Sequence, residues 1–332
     1  MTLDVQRPEV AFAIDAVRLA TQVAKEVQRE LVGQSLAKED KSPVTVADFA
    51  AQAIVGFMLD RSFPNDPLVA EEDSESLRAP DNSKMLSQVA RFVGQHLAYA
   101  TPETVCQWID RGAGESANRF WTLDPIDGTK GFLRADQYAI ALALIVDGNV
   151  EVGVLGCPNL TNAYTPEHDG PGSLVVAVRG QGTWTRALEG GEWTRLAVSN
   201  TSNPADARIL RSVEAAHTNI SEVDLVAQRL GVQAPAVKMD SQAKYAVMAA
   251  GAGEILFRLL SPKRPDYKEK IWDQAAGSLV IEEAGGRITD LQGKPLDFTQ
   301  GRTLSRNTGV LASNKLLHDA ALNALMQEGA AS

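Results

Sequence analysis

The chain of 332 residues has two cysteines, four histidines and few aromatic side chains. Cys106 and Cys157 cannot build a disulfide framework or a cysteine zinc site, so a reducing compartment is the default expectation. Long apolar runs are also missing. The longest, residues 139–146, is far too short to span a bilayer. Residues 1–10 carry Asp4 and Glu9 and no apolar segment, which argues against a secretion signal. Two sequons, at Asn200 and Asn219, then read as chance, and a cytoplasmic protein with no membrane partner is expected. Positive charge is scarce too. Lys and Arg number 32 against 42 Asp and Glu, a net charge of −10. Such a chain lacks the basic face that nucleic acid requires, yet it has carboxylates to spare for metal cations. No Gly-x-x-x-x-Gly-Lys-[Ser/Thr] loop, His-Glu-x-x-His or Gly-x-Ser-x-Gly string occurs.

A hydrophobic content of 44% supports a substantial core, and the length suits two domains. Val10, Ile14, Val17, Ala20, Val23, Val27 and Leu31 recur at helical spacing, which predicts a helix over residues 8–33 with Pro8 in its first turn and Gly33 as its stop. A polar loop from residue 37, a helix over 46–61, a strand at 68–70 and a helix over 83–97 follow. Strands are expected at 121–123, ending in Asp124, and at 138–146 and 150–155 around an Asp147-Gly148-Asn149 hairpin. A further pair, 174–178 and 183–186, completes an antiparallel meander covered by the N-terminal helices. After residue 198 the pattern alternates. Strands at 208–212, 237–239, 254–258, 287–290 and 310–312 are interleaved with helices at 223–230, 242–250, 272–284 and 314–327. Alternation of this kind predicts a mostly parallel second sheet. The expected fold is α/β with αβαβα layers, an α+β domain at residues 1–198 and an α/β domain at 199–332.

The most informative string is Leu123-Asp124-Pro125-Ile126-Asp127-Gly128-Thr129-Lys130-Gly131-Phe132. A strand delivers two carboxylates three residues apart, on a stretch stiffened by Pro125 and ended by Gly128. Two such charges near 4 Å repel by roughly 4 kcal/mol at an effective dielectric of 20. A hard cation removes that penalty, and Mg²⁺ is the usual partner for these oxygens. Gly128 opens the backbone to an approaching anion, and Thr129 supplies a hydroxyl. The Asp-x-x-Asp spacing differs from the Asp-x-Asp of haloacid-dehalogenase phosphatases, which disfavours a phospho-aspartate enzyme.

This string resembles the lithium-sensitive, Mg²⁺-dependent phosphatases of the inositol monophosphatase and fructose bisphosphatase superfamily. Val69-Ala70-Glu71-Glu72-Asp73-Ser74 and Trp272-Asp273-Gln274-Ala275-Ala276-Gly277 match in the expected order, with Ala70 where many members carry glycine. Within the superfamily the chain is most similar to the 3'(2'),5'-bisphosphate nucleotidases. The segments that carry this are Lys41 to Asp48, Ser212 to His217, Asp240-Ser241-Gln242-Ala243-Lys244-Tyr245 and Tyr267 to Asp273.

The resemblance implies that Glu71, Asp124, Asp127 and Asp273, with the Ile126 carbonyl, hold two or three Mg²⁺ ions. It pairs Asp48 with Thr129 as the groups that orient and deprotonate the attacking water, and implies that the Gly128 and Thr129 amides hold phosphate. It assigns Lys244 and Arg258 to a second phosphate, His217 and Ser241 to a nucleoside, and places Asp273 against the substrate. Asp48 and Asp273 also suit helix starts, where acids complement the dipole, and Glu72 or Asp73 is easily confused with Glu71. His96, His168 and His318 carry no such context. The implied reaction removes the 3'-phosphate of 3'-phosphoadenosine 5'-phosphate (PAP), the by-product of sulfate-group transfer in sulfur metabolism, with its sulfate-activated analogue (PAPS) as a second substrate and Li⁺ as an inhibitor. A monomer or homodimer acting on a small nucleotide is implied. An inositol polyphosphate 1-phosphatase or inositol monophosphatase stays open as an alternative, and so does a nucleotide-binding regulator without catalysis.

Overall fold

The computed structural model of the chain describes residues 2–32, 42–213, 220–261 and 263–328. Gly33, the expected loop from residue 37, Lys41, Asn219 and His217 lie outside them. Helix α1 (Pro8–Val27) forms as its apolar stripe demands: Val10, Ile14, Val17, Ala20, Val23 and Val27 are all buried. It gives way to a π-helical turn, Gln28–Val32, where the expected α-helix ran on to residue 33. In that turn Gln28 Nε2 reaches the Phe132 carbonyl at 2.8 Å. Helix α2 (Ser42–Ser62) is buried on nearly every side, between α1, α3 (Ser83–Gly94) and α4 (Pro102–Asp110). Helix α4 has no counterpart among the sequence expectations. A Thr101 and Thr104 capping box starts it, with Pro102 in the first turn.

The larger sheet contains β1 (Leu68–Ala70), β2 (Arg119–Asp127), β3 (Ala139–Val146), β4 (Asn149–Cys157), β7 (Ser173–Val178), β8 (Gly182–Ala187) and β9 (Gly190–Leu196), in that order. Strand β1 runs parallel to β2, and every other neighbour is antiparallel. A small ribbon of β5 (Leu160–Thr161) and β6 (Thr165–Pro166) is appended. Side chains of β3 alternate as a strand requires. Ile140, Leu142 and Leu144 face α1 and α2, while Ala139, Ala141 and Ala143 face the other side. The small residues on that side leave room for a helix from the chain's second half, α8 (Ala275–Glu283). Gly153 is part of the same fit, since a Cβ there would lie 2.8 Å from the Ala276 carbonyl oxygen.

The second sheet contains β10 (Ile209–Arg211), β11 (Val237–Lys238), β12 (Ile255–Arg258), β13 (Arg287–Thr289) and β14 (Val310–Ser313), in the order β11-β10-β12-β14-β13. It is mixed, and not mostly parallel as expected. Strand β10 is parallel to both neighbours, but β14 is antiparallel to β12 and β13. The cause is the 290–309 connection, which contains no helix. Without a crossover the chain returns alongside β13 in the opposite direction. Helices α7 (Ala243–Ala249) and α8 pack between the two sheets. Helices α6 (Ile220–Leu230) and α9 (His318–Glu328) cover the outside of the second, over Ile255, Phe257 and Leu311. The layers therefore run αβαβα. Among the described residues no helix is long and apolar enough to cross a membrane.

Candidate active site

The acids gather because two strands end side by side. Ala70 of β1 pairs in register with Leu123 of β2, so the next residues, Glu71 and Asp124, emerge together. Their carboxyls lie close enough to perturb each other. In a regular strand Asp124 and Asp127, three residues apart, would point to opposite faces. Strand β2 does not stop at Asp124, as expected, but continues to Asp127 through a bulge. Asp124 pairs with Ala141 and Asp127 with Ala139, so three steps on β2 match two on β3. The extra residue returns both aspartates to the same side. Pro125, which has no N–H to give a ladder, sits inside the bulge. Gly128 then turns the chain at φ +94° into α5 (Thr129–Leu133), leaving Thr129 exposed at its first position.

The second half of the chain closes over this turn. A Cβ on Gly128 would lie 2.8 Å from the Ser241 Cβ. Ser241 itself adopts φ +66° and is buried. The Gln242 amide donates to Asp127 Oδ2 at 2.6 Å. Arg134, just after α5, pairs with Asp240, whose other oxygen accepts from the Val213 amide at 3.1 Å. Asp273 lies two residues ahead of α8, which starts at Ala275 and not at residue 272. It stands 3.5 Å from an Arg258 nitrogen. Trp272, next to it in the chain, is 4% exposed. The Arg302 guanidinium lies 4.9 Å from the Trp272 ring and also donates to the carbonyls of Ala70 and Gly112. One side chain thus ties the strand end before Glu71 to the segment before Asp273.

So many acids in one place raise each other's proton affinity. Asp124 is 3% exposed, and its Oδ1 is buried with no hydrogen-bond partner. Burial, then Glu71, Asp127, Asp273 and Asp48, push its pKa well above the carboxylate range. Asp48, on α2, is raised well up by burial and by Glu72 and Glu71. Glu71 is raised by desolvation and Asp127, against the Asp124 hydrogen bond and Lys270. Glu72 is pushed to about 7 by burial, Glu71 and Asp73. Asp127 and Asp273 also rise, burial leading, although Lys244 and Arg258 oppose the rise at Asp127 and Arg258 opposes it at Asp273. Among the described residues, however, no three acidic, histidine or cysteine side chains are gathered into a closed metal cage. Asp127 is turned to the Gln242 amide and Asp273 faces Arg258. An oxygen-only donor set with an unpartnered buried oxygen fits a hard divalent cation.

Cations come from the opposite side. Lys244, on α7, is only 5% exposed, and its Nζ donates to the Met239 carbonyl at 3.3 Å. Burial brings its pKa down to about 8, against the pull of Asp127. Arg258 ends β12 and forms a 2.7 Å ion pair with the buried Glu269.

The model of the inositol monophosphatase family matches residues 6–330. The chain belongs to the inositol monophosphatase family. It is 43% identical over 95% of its length to a 3'(2'),5'-bisphosphate nucleotidase of Schizosaccharomyces pombe, covering 94% of that protein. It is 41% identical over 96% of its length to one of Oryza sativa, covering 93% of it. Among solved structures, an inositol monophosphatase from Anabaena superposes with a TM-score of 0.62 at 21% identity, covering 96% of this chain and 94% of that one. The inositol monophosphatase of Zymomonas mobilis gives 0.64 at 18% identity, covering 98% and 100%. These likenesses establish the fold. Phosphatases of this family are generally metal-dependent.

The family's implied acids, Glu71, Asp124, Asp127, Asp273 and Asp48, lie close enough to perturb one another, and Lys244 and Arg258 lie near enough to lower the proton affinity of Asp127. Lys244 is not on a solvated helix face, nor does Arg258 merely face water. Glu269, Gln274, Gln242 and Arg302 were not singled out from the sequence. Gln242 and Gln274 stand inside the quoted strings, one residue from Ser241 and Asp273. Glu269 stands inside the quoted segment Tyr267 to Asp273, though nothing there marks it out, while Arg302 lies outside every quoted string and its partners, Ala70, Gly112 and Trp272, are far away in the chain.

Proposed function

We propose that this chain is a Mg²⁺-dependent 3'(2'),5'-bisphosphate nucleotidase that converts PAP to AMP and phosphate, with PAPS as a second substrate. The observation that carries the reading is identity of about 40% along nearly the whole length of curated nucleotidases. The buried Lys244 and the partly buried Arg258, both near enough to lower the proton affinity of Asp127, support it, since a bisphosphate has a second anionic group to hold. We assign residues 1–198 to the acid side of the site and residues 199–332 to the substrate side.

In this reading Glu71, Asp124, Asp127 and Asp273, with the Ile126 carbonyl, hold two or three Mg²⁺ ions, for which Li⁺ competes. Bound there, the ions acidify a water and stabilise charge on the phosphoryl oxygens. Thr129 orients the attacking water by its hydroxyl, and Asp48 takes the proton. A threonine hydroxyl is too weak a base alone, whereas burial and two glutamates strengthen Asp48 as an acceptor. The Gly128 and Thr129 amides hold the cleaved phosphate. Lys244 holds the other phosphate as a point charge and Arg258 as a fork. Ser241 and His217 contact the nucleoside, and Asp273 borders the substrate. No covalent phospho-enzyme is required.

The test is phosphate release with Mg²⁺ from PAP, inositol 1-phosphate, inositol 1,4-bisphosphate and fructose 1,6-bisphosphate. The expected result is a strong preference for PAP, abolished in Asp127→Asn. Preference for an inositol or sugar phosphate would overturn the nucleotide assignment.

A further inference from the structure

Arg258 is held from behind by a buried relay. Tyr245 Oη donates to Gln274 Oε1 at 2.5 Å, Gln274 Nε2 donates to Glu269 Oε2 at 2.9 Å, and Arg258 Nη2 meets the same Oε2 at 2.7 Å. Tyr245, Gln274 and Glu269 are all buried. The order of donors is fixed by chemistry. The ionised Glu269 only accepts, so the Gln274 amide must present its NH₂ to it and its oxygen to the tyrosine. The relay answers a specific difficulty. Arg258 has a second carboxylate within reach, Asp273 at 3.5 Å, and a guanidinium shared between two carboxylates would have no fixed direction. Glu269 offers the shorter bond and so fixes the direction of the fork. Arg258 Nε stays buried with no partner, a donor that is costly to leave so and well matched to a phosphate oxygen.

We propose that Glu269, oriented by Gln274 and Tyr245, is a positioning residue that aims Arg258 at the uncleaved phosphate and so sets the preference for bisphosphate over monophosphate nucleotides. The proposal rests on the assignment of Arg258 to that phosphate. Neither Glu269 nor Tyr245 touches the substrate in this arrangement.

The experiment compares kcat and KM for PAP and for 3'-AMP, which lacks the second phosphate, in the wild type, Arg258→Ala, Glu269→Gln and Tyr245→Phe. Loss of one charge-assisted bond corresponds to about tenfold in affinity. Glu269→Gln is therefore expected to raise KM for PAP about tenfold and leave kcat and both constants for 3'-AMP within about twofold. Tyr245→Phe removes only the far hydroxyl and should shift KM for PAP in the same direction by a smaller factor. It decides the matter if Glu269→Gln does not fold. Equal losses on both substrates, or no change on either, while Arg258→Ala abolishes the preference, would overturn the relay alone. If Arg258→Ala keeps the preference, the assignment of Arg258 falls and the relay falls with it.

Discussion

Replacing Asp124 by asparagine should have opposite effects on stability with and without a divalent cation. Asp124 is 3% exposed, its Oδ1 has no partner, and the charges around it belong to Glu71, Asp127, Asp273 and Asp48. A pair of carboxylates near 4 Å costs roughly 4 kcal/mol when both are ionised at an effective dielectric of 20. Asparagine has nearly the same shape, can donate to a neighbouring carboxylate and carries no charge. In chelator, Asp124→Asn should therefore stabilise the fold by about 1–3 kcal/mol, the usual cost of a buried unsatisfied group. With Mg²⁺ at a hundred times its Kd, the wild type gains about 2.7 kcal/mol. The variant, short of one oxygen ligand, gains less, and the order reverses. The pH dependence has a definite sign. The folded pKa of Asp124 is raised, so its contribution is complete below the carboxylate pKa of the unfolded chain and is lost as pH rises through the folded value. In chelator the advantage of Asp124→Asn should grow from about pH 4 upward. Urea unfolding followed by tryptophan fluorescence, in chelator and in Mg²⁺, measures all of this. If Asp124→Asn is less stable than the wild type in chelator too, the acids are not in mutual conflict and the reasoning fails.

Three further outcomes are expected. The kcat/KM for PAP should fall as pH rises through about 8, where the buried Lys244 loses its proton, and Lys244→Met should remove that limb from the pH–rate profile. Gly128→Ala meets both a left-handed backbone and the Ser241 Cβ at 2.8 Å, so urea unfolding should show a loss of about 2 kcal/mol and phosphate release should drop sharply. Gly180→Ala is the control, because Gly180 has φ +77° but open space around it. His318, buried between the Thr289 and Ser313 hydroxyls, has its pKa lowered to about 4, chiefly by burial. Between that value and the ordinary 6.5 the unfolded chain binds the extra proton. Stability should then fall by about 3 kcal/mol as pH drops across this window, and His318→Gln should flatten the slope in urea titrations.

Much of the scaffold was legible because burial writes a period into the chain. The stripe of α1 is legible from spacing, the hairpin from its Asp147-Gly148 turn, and the strand at Leu68–Ala70 from its short apolar run before Glu71. What was not legible depends on distant partners or on one residue of register. The bulge in β2 carries no mark beyond Pro125, yet it decides where Asp127 points. Helix α4 was overlooked although Thr101-Pro102-Glu103 is a visible start signal. The mixed second sheet follows from a long connection without a helix, and strand–helix alternation does not report that. The acids themselves stood out as strings, while Glu269 and Arg302 became meaningful only once Arg258 and Trp272 were placed beside them.

The division of the site between two sheets also follows from charge. The first sheet and its helices bring Glu71, Glu72, Asp124, Asp127 and Asp48 together, and Glu72 and Glu71 add to burial in raising Asp48. That half alone would be a concentration of repulsion. Lys244 and Arg258, from beyond residue 198, lower the proton affinity of Asp127, and the Gln242 amide holds one of its oxygens. Asp127 is thus the residue at which the two halves balance, an acid of the first sheet held by donors of the second. On the proposed assignment of Lys244 and Arg258 to a phosphate, an anionic substrate would draw on the same cations, compete with Asp127 for them and so leave the aspartate to a divalent cation. On this argument substrate and cation should bind cooperatively, each strengthening the other by the same factor, as linkage requires.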